Sequence, residues 1–446
     1  MSNSLSIKHA LPEPLSETEL AYGRFVPRRF LTLLGVDDIR KVRLGQQVEQ
    51  SMTILFSDIR DFTSLSESMS PQENFNFLNS YLMQMEPVIT AHGGIIDKYI
   101  GDAIMALFPT SPDDALRCSQ AMLAKLDEYN AGRARAGYRP ITIGIGINTG
   151  IVILGTVGGE GRMDGTVIGD AVNLAARLER MTKEYQVPVL ISEYTLCNLE
   201  NAKPWSIRFI DRTHVRGKHD DQSVYEVFDA DPPTLRVAKK STLTIFQRAL
   251  AYYHRGDYAA AGEHFSTCLR EVPEDNAASA YLRRCQAHLR NAESAVADNV
   301  IEFPWQSACM LGIDSIDNAH RGLLTVLDTL RLTIGNSSLA EPLLTQIQTA
   351  ANACFLHEEQ LMRENHYPFI AMHLRQHQRF FESFQELRND IANGLGDDPV
   401  YAGFLVKNLL GDWLINHILN ADRHFVHHLL GRNIGGSNVG GSNVIE

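Results

Sequence analysis

The sequence has no apolar run long enough to cross a membrane. Its longest apolar runs are strand-sized, well short of the roughly 18 residues that a membrane span needs. The N-terminal stretch has no basic region followed by an apolar core, so it is not a secretory signal. The six cysteines lack paired spacing, which is typical of free thiols in a reducing compartment. We therefore expect a cytoplasmic protein without membrane contacts.

An excess of basic residues is also missing. The chain has 41 Lys and Arg against 53 Asp and Glu, a net charge of -12 that argues against broad nucleic-acid binding. A hydrophobic content of 44% and a charged content of 21% are ordinary for folded globular protein. Because domains usually have about 100 to 200 residues, a chain of 446 residues predicts two to four domains.

The pattern of apolar residues divides the chain into segments of different type. Residues 47–230 mix strand and helix patterns, which predicts an α+β domain. Residues 300–432 hold four helix-sized segments separated by short breaks, which predicts an all-α four-helix bundle. The remaining segments are an N-terminal helical segment (1–46), a helical linker (240–297) and a Gly/Ser-rich flexible tail (433–446).

The helical linker has the spacing of one tetratricopeptide-like repeat. The positions that carry this spacing are Ala249, Tyr252, Ala261, Phe265 and Pro273. A single repeat is a weak signal, and a plain helical hairpin is the alternative. If it is a repeat, it could dock a protein partner.

Two aspartates follow predicted strands in the α+β segment. Asp58 follows the apolar strand "TILF", and Asp102 lies in a Gly-Asp turn between "IIDKYI" and "AIMALF". A sheet that brings the two carboxylates together could hold magnesium against a polyphosphate. The alternative is that each aspartate is only a turn residue.

Four motifs favour the metal-site interpretation. "FSDIRDFTSLSE", "GGIIDKYIGDAIMALF", "GIGINTG" and "TVIGDAVNLAARLE" occur in order, and residues 50–230 thereby resemble the catalytic domain of class III nucleotidyl cyclases. The resemblance implies a ferredoxin-like fold and a nucleoside triphosphate substrate. It also implies two Mg²⁺ (or Mn²⁺) ions per active site, held by Asp58, Asp102 and the backbone carbonyl of Ile59.

The same resemblance assigns the nucleotide contacts. Asn173 and Arg177, four apart on a predicted helix, would orient the ribose and stabilise charge at the α-phosphate. Lys98 and Thr166 would read the purine, and a cation with a hydroxyl favours ATP over GTP. Arg216 in "HVRGKHD" replaces the usual phosphate-binding lysine. One chain carries this set once, so a homodimer is implied.

The bundle segment contains a second group of candidate ligands. Periodicity places His373 with His377 on one helix face, and other His, Asp and Glu residues on the remaining helices. Such an inward-facing set of nitrogen and carboxylate ligands suits paired iron. The other candidates are Asp317, His320, Glu358, His417 and Asp422.

Residues 300–432 resemble bacterial hemerythrin-like domains through "WQSACMLGIDSIDNAH", "FLHEEQLM", "YPFIAMHLRQH" and "WLINHILNAD". The resemblance implies a non-haem diiron centre in which His320 binds one iron and three histidines bind the other. It also implies that Glu358 and Asp422 bridge the irons. The three histidines are His373, His377 and His417.

Cys354 stands where the hemerythrin pattern has a histidine. Three interpretations remain open: Cys354 is a thiolate ligand, it is a small buried residue beside an under-coordinated or absent iron, or His357 substitutes for the missing histidine.

Together these features predict an adenylate cyclase that forms cyclic AMP and pyrophosphate. Its C-terminal diiron domain would sense oxygen, nitric oxide or redox state, and the helical linker would pass a shift to the dimer interface. The alternatives are an oxygen- or iron-binding sensor with an inactive cyclase domain, and a guanylate cyclase.

Overall fold

The computed structural model describes residues 28–159, 161–214, 221–291 and 307–431. They form an α+β domain, a group of linker helices and a C-terminal all-α bundle, so the predicted fold classes are confirmed. Over these ranges no helix combines the length and the apolar character needed to cross a bilayer. All six cysteines are buried free thiols.

A mixed sheet is the centre of the α+β domain. The described strands run in the spatial order β2-β3-β1-β4-β6-β8-β7, with β5 paired to β4, and only β4 and β6 pair in parallel. Residues 52–57 of β1 are all buried, because both faces of this central strand are covered. The strands are β1 (Gln47–Ile59), β2 (Ile95–Ile100), β3 (Ala103–Phe108), β4 (Ile143–Gly159), β5 (Arg162–Ile168), β6 (Val189–Ser192), β7 (Ile207–His214) and β8 (Asp221–Val227).

Helices cover both faces of this sheet. Leu55 and Ile59 of β1 point to the core formed with the long helices, whereas Ile54 and Phe56 point to the opposite core, where Phe30 packs. The helices are α1 (Arg28–Leu33), α2 (Phe62–Glu67), α3 (Pro71–Ala91), α4 (Pro112–Arg135), α5 (Asp170–Tyr185) and α6 (Glu193–Asn198).

The linker segment is helical, as predicted. It comprises α7 (Pro233–Ser241), α8 (Leu243–Arg255), α9 (Tyr258–Glu271) and α10 (Asn276–Asn291). Ala249, Ala261 and Phe265 are fully buried. This burial suits a plain helical hairpin as well as a tetratricopeptide repeat, so the repeat stays a prediction.

A buried ion cluster joins the linker to the sheet. Arg208 of β7 donates to Glu226 of β8 at 2.6 Å and to both carboxylate oxygens of Asp275, before α10, at 2.7 Å. Lys239 of α7 donates to the other oxygen of Glu226 at 2.9 Å. Because the side chains of Arg208, Glu226 and Asp275 are inaccessible to solvent, each charge depends on its partners.

The bundle has four helical segments, as predicted. The first three are α11 (Asp314–Thr333), α12 (Ser337–Glu364) and α13 (Ile370–Ala392). The fourth, which we call the last bundle helix, runs through α14 (Pro399–Val406), α15 (Asp412–His417) and α16 (Arg423–Leu429). Two π-helical turns, Lys407–Gly411 and Ile418–Asp422, join these pieces.

The last bundle helix packs directly on the α+β domain. Asn416 is the centre of the contact: its carbonyl accepts from the Tyr194 hydroxyl at 2.8 Å, and its side-chain amide donates to Glu193 at 3.0 Å. Gln222 of β8 donates to its side-chain oxygen at 3.1 Å. Trp413 donates to the Cys197 sulfur at 3.3 Å. The bundle therefore contacts α6 and β8 without the linker in between.

Candidate functional site

The structure brings Asp58 and Asp102 together. Asp58 lies near the end of β1, and Asp102 lies in the two-residue turn between β2 and β3, where Gly101 adopts φ 66°. The backbone N–H of Ile59 is 3.1 Å from Oδ1 of Asp58 and 3.2 Å from Oδ2 of Asp102. The two carboxylates therefore share one donor and lie side by side.

Two adjacent carboxylates need a counter-charge. Partial burial and the neighbouring Asp58 raise the pKa of Asp102 to about 7. Burial, with Asp58 nearby, also raises the pKa of Glu179 to about 7. Carboxylate and backbone oxygens are the ligands that Mg²⁺ prefers, so the donor set fits a hard divalent cation.

Lys98 and Thr166 also meet, as expected for a pair that reads one ligand. The Lys98 ammonium donates to the Thr166 hydroxyl oxygen at 2.8 Å. Asp97, which the sequence did not single out, joins them: its Oδ2 is 3.3 Å from Thr166 Oγ1 and 3.3 Å from Lys98 Nζ. Burial raises the pKa of Asp97, although Lys98 and Thr166 oppose the rise.

Asn173 and Arg177 lie on α5, as predicted. Asn173 is exposed and Arg177 is half-buried. Asn148 of β4 donates to the carbonyl of Ala171 at 2.8 Å and so fixes the first turn of this helix against the sheet. Arg216 lies outside the described residues.

The second site is a buried cluster between all four segments of the bundle. Its residues are at most 2% exposed and supply nitrogen, carboxylate and thiol donors. The members are His320 of α11, Cys354 and Glu358 of α12, His373 and His377 of α13, and His417 and Asp422 of the last bundle helix.

One half of the cluster contains three histidines. The Nε2 atom of His417 lies 3.0 Å from Nε2 of His373 and 3.1 Å from Nε2 of His377. Adjacent ligands around an octahedral metal with bonds of about 2.1 Å stand about 3.0 Å apart. The imidazole nitrogens are therefore spaced as ligands of one ion.

The other half of the cluster is formed by different donors. His320 Nε2 lies 2.7 Å from Oε1 of Glu358 and 3.3 Å from Oδ2 of Asp422. The Cys354 thiol donates to the same Oε1 of Glu358 at 3.2 Å.

The remaining carboxylate oxygens face the three histidines. Oε2 of Glu358 is 3.2 Å from His377 Nε2, and Oδ1 of Asp422 is 3.1 Å from His373 Nε2. Glu358 and Asp422 thus each reach both halves, and their role as bridging carboxylates stays a prediction from the resemblance.

The charge state of the cluster follows from burial and from these contacts. Burial and the adjacent His417 lower the pKa of His373 to about 4. Burial opposes the charged form of His377 as well, but Glu358 and Glu359 outweigh it and raise its pKa to about 9. The histidines hold the pKa of Asp422 well below its usual range despite its burial. Positive charge keeps the carboxylates of Glu358 and Asp422 ionised although both are buried. The donor set therefore suits a bound metal ion.

Two further residues orient the histidines. Nδ1 of His417 is 2.9 Å from Oε1 of Gln376, and Nδ1 of His377 is 3.2 Å from Oε1 of Glu359. Such contacts fix which ring nitrogen faces a metal. Neither Glu359 nor Gln376 belongs to a predicted ligand set, and both contacts join residues on different helices.

The π-helical turn Ile418–Asp422 explains how His417 and Asp422 share one face. Residues five apart on a regular α-helix are rotated by about 140°. An i to i+5 turn is wider and brings them into line. The spacing of five between two proposed ligands was the sequence signal for this turn.

Two candidates lie outside the cluster. Asp317 accepts from the backbone N–H groups of Leu311 at 2.8 Å and Gly312 at 3.0 Å, so it stabilises the loop before α11. The prediction of Asp317 as a metal ligand was therefore wrong. His357 is near the surface, with Nε2 3.1 Å from Ser315 Oγ. It does not replace the missing histidine.

The two sites suit metal ions of different kinds. An oxygen-donor pair lies at the end of a central strand and suits a hard divalent cation. A buried cluster rich in histidine lies within a helical bundle and suits a transition metal.

Comparison with known families agrees with both parts. Residues 44–228 match the family described as the adenylate and guanylate cyclase catalytic domain, and residues 311–429 match the hemerythrin HHE cation binding domain. The chain therefore carries a class III nucleotidyl cyclase catalytic domain followed by a hemerythrin domain.

Two named relatives match long stretches of the chain. The chain is 38% identical over 285 residues to "Adenylate cyclase, terminal-differentiation specific" of Dictyostelium discoideum, covering 63% of this chain and 13% of the relative. It is 45% identical over 219 residues to "Adenylate cyclase" of Anabaena cylindrica, covering 48% of this chain and 44% of the relative. A solved guanylyl cyclase, Cya2, is 36% identical with a TM-score of 0.37 over 42% of this chain and 95% of that one. The chain thus spans less than half of either curated relative.

Proposed function

We propose that the chain converts ATP to 3′,5′-cyclic AMP and pyrophosphate, and that its hemerythrin domain regulates this activity. The observation that carries the proposal is the Asp58 and Asp102 pair, whose carboxylates share the Ile59 N–H at 3.1 and 3.2 Å. Two relatives that carry the name adenylate cyclase support it.

The chain's own residues define the proposed active site. Asp58, Asp102 and the carbonyl of Ile59 would hold two Mg²⁺ or Mn²⁺ ions. When bound, these ions activate the ribose 3′-hydroxyl and neutralise the triphosphate. Asn173 and Arg177 would orient the ribose and stabilise negative charge at the α-phosphate, since a guanidinium presents several fixed donors.

A second copy of the chain would complete the site. Lys98 on β2 and Thr166 on β5, which we call the purine pair, lie on strands that also carry exposed apolar side chains. These are Tyr99 and Ile100 on β2, and Met163 and Ile168 on β5. Clustered exposed apolar residues are typical of surfaces that a partner covers. We propose that this surface lies against the second protomer, with Arg216 contributing to phosphate binding.

The purine pair favours ATP. The ammonium of Lys98 can only donate, and adenine offers a ring nitrogen that accepts. Guanine offers a ring N–H at the same position, which a cation disfavours. GTP is therefore the less favoured substrate.

In the hemerythrin domain we propose a non-haem diiron centre. His373, His377 and His417 would hold one iron, and His320 with Cys354 the other, with Glu358 and Asp422 between them. When bound, iron supplies a centre that responds to oxygen, nitric oxide or redox state. Cys354 faces the donors of the second half, since its thiol reaches Glu358 at 3.2 Å.

We propose that the regulatory contact is direct. Asn416 precedes His417 and is held by Tyr194, Glu193 and Gln222 of the cyclase domain. A shift of His417 would therefore reach α6 through one neighbouring residue. The sequence suggested the linker helices as the route, and the direct contact is shorter.

The test measures cyclic AMP and cyclic GMP made from ATP and GTP by the purified full-length chain with Mg²⁺. Asp58→Ala should lower the rate from ATP by about a hundredfold or more, because it removes a metal-binding carboxylate. Asp61→Ala is the matched control. Asp61 is exposed on the same segment and pairs with Lys183 at 2.8 Å, so its loss should leave the rate within about threefold. Equal rates for wild type and Asp58→Ala would favour an iron-binding sensor with an inactive cyclase domain.

A further inference from the structure

Asp97 lies beside Lys98 and Thr166, and its position is unusual for a strand. β2 pairs with β3 through Ile96↔Ala106 and Lys98↔Met105, so Asp97 is the extra residue of a β-bulge. Consecutive side chains of a regular strand point to opposite faces. The bulge instead lets Asp97 and Lys98 both reach Thr166.

The Asp97 carboxylate is placed to bind rather than to be solvated. Its side chain is 1% exposed, whereas the Lys98 side chain is 42% exposed. Its Oδ2 faces Lys98 Nζ and Thr166 Oγ1, both at 3.3 Å. Asp97 is therefore buried beside Lys98 and Thr166, and of these three residues Lys98 is the one that is substantially exposed.

The number of donors and acceptors on a hydroxyl then determines where the Thr166 hydroxyl proton points. A threonine hydroxyl has one proton to donate and two lone pairs that accept. An ammonium has only donors, so the bond of 2.8 Å from Lys98 occupies one lone pair. The hydroxyl proton goes to the Asp97 carboxylate, which can only accept. One lone pair of Thr166 remains for a ligand.

We propose that Asp97 is the positioning residue that sets the purine preference, by holding Thr166 as an acceptor and Lys98 as a donor. This inference rests on the proposed nucleotide site. Adenine presents an amino group that donates and a ring nitrogen that accepts, which match both partners. Guanine and hypoxanthine present an oxygen and a ring N–H at these positions, which oppose both. Without Asp97 the hydroxyl of Thr166 can turn and donate to that oxygen.

The test compares ATP with ITP, because the two differ only at these positions of the base. The full-length chain and the variants Asp97→Leu and Asp97→Asn are assayed for kcat/KM and for equilibrium binding of each nucleotide with Mg²⁺. Asp97→Leu should lower the preference for ATP over ITP by at least about tenfold. Asp97→Asn should keep it within about threefold, since its amide oxygen still accepts from both partners.

Thr166→Val provides a second route to the answer if Asp97→Leu does not fold. Removing the hydroxyl should lower the same preference, because the acceptor that Asp97 orients is then gone. A fall in kcat/KM by the same factor for both nucleotides in Asp97→Leu would make Asp97 merely structural. An unchanged preference in Thr166→Val would also overturn the inference.

Binding separates this inference from the proposed function. A chain that makes no cyclic AMP, but binds ATP over ITP with a preference that Asp97→Leu removes, would refute the cyclase activity and support the role of Asp97. A wild-type chain that binds and converts both nucleotides equally would refute the role of Asp97 alone.

Discussion

Replacing Gln376 with leucine should weaken iron binding without touching a proposed ligand. Gln376 is 2% exposed, and its side-chain oxygen lies 2.9 Å from Nδ1 of His417. When Nε2 of His417 binds a metal, the ring proton must be on Nδ1, where leucine offers no acceptor. In the metal-free protein the proton can move to Nε2, so the cost falls on the bound state.

The magnitude follows from that asymmetry. A buried donor without an acceptor costs about 1 to 3 kcal/mol. At 1.4 kcal/mol per factor of ten, iron affinity should fall about 5- to 150-fold. Loss of a group that orients a metal-binding histidine typically costs 10- to 100-fold, in agreement with this range.

The assay is an anaerobic titration of the metal-free, full-length protein with ferrous iron against a competing chelator. Gln378→Leu is the matched control, because Gln378 lies on the same helix, is exposed, and bonds only to Glu382 among the contacts described, at 3.0 Å. Iron affinity of Gln376→Leu within twofold of wild type, with Gln378→Leu also unchanged, would refute the reasoning.

Four further predictions concern other residues. Cys354→His should change the visible spectrum of the iron-loaded protein by removing sulfur ligation, and an identical spectrum would exclude Cys354 as a ligand. Asp275→Ala should destabilise the linker by about 3 to 5 kcal/mol in urea denaturation, because Arg208 then loses a partner while buried; a change below 1 kcal/mol would contradict this. Below about pH 7, the Mg²⁺ concentration for half-maximal cyclase rate should rise about tenfold per pH unit, because the raised pKa of Asp102 lets protons compete for its carboxylate; a value that is constant from pH 8 to pH 6 would count against it. Tyr194→Phe should reduce the rate difference between iron states about two- to tenfold, whereas Tyr401→Phe, which removes a 2.8 Å bond from the bundle to Gln247 of the linker, should not; the opposite pattern would make the linker the route.

Sequence patterns predicted the parts of the sites that local rules determine. Asp58 and Asp102 were found because a strand end and a Gly-Asp turn are local features that a sheet brings together. His373 and His377 were found because residues four apart share a helix face. The assignment of Cys354 to the cluster rested on resemblance, and the cluster geometry agrees with it.

The remaining features depend on contacts between distant segments. Gln376 orients His417, and Glu359 orients His377. In both cases the histidine lies on a different helix, so spacing along one helix does not reveal the contact. Asp97 reaches Thr166 only because β2 carries a bulge. The prediction for Asp317 was wrong because helical spacing does not distinguish a ligand from a carboxylate that binds free backbone N–H groups before a helix.

The contact between the bundle and the cyclase domain was also beyond the sequence. Asn416 and Tyr194 are 222 residues apart, and neither belongs to a motif. Their hydrogen bond makes His417 a near neighbour of the cyclase fold, although the linker separates the two domains along the chain.

The most direct test of the central claim measures cyclic AMP production by the iron-loaded, full-length chain in its reduced state under anaerobic conditions and again after oxidation. Coupling between two sites is typically 5- to 150-fold, so we expect rates that differ by about fivefold or more. The metal-free protein should show no such difference under the same two conditions. Equal rates in the reduced and oxidised iron-loaded protein would contradict regulation by the hemerythrin domain.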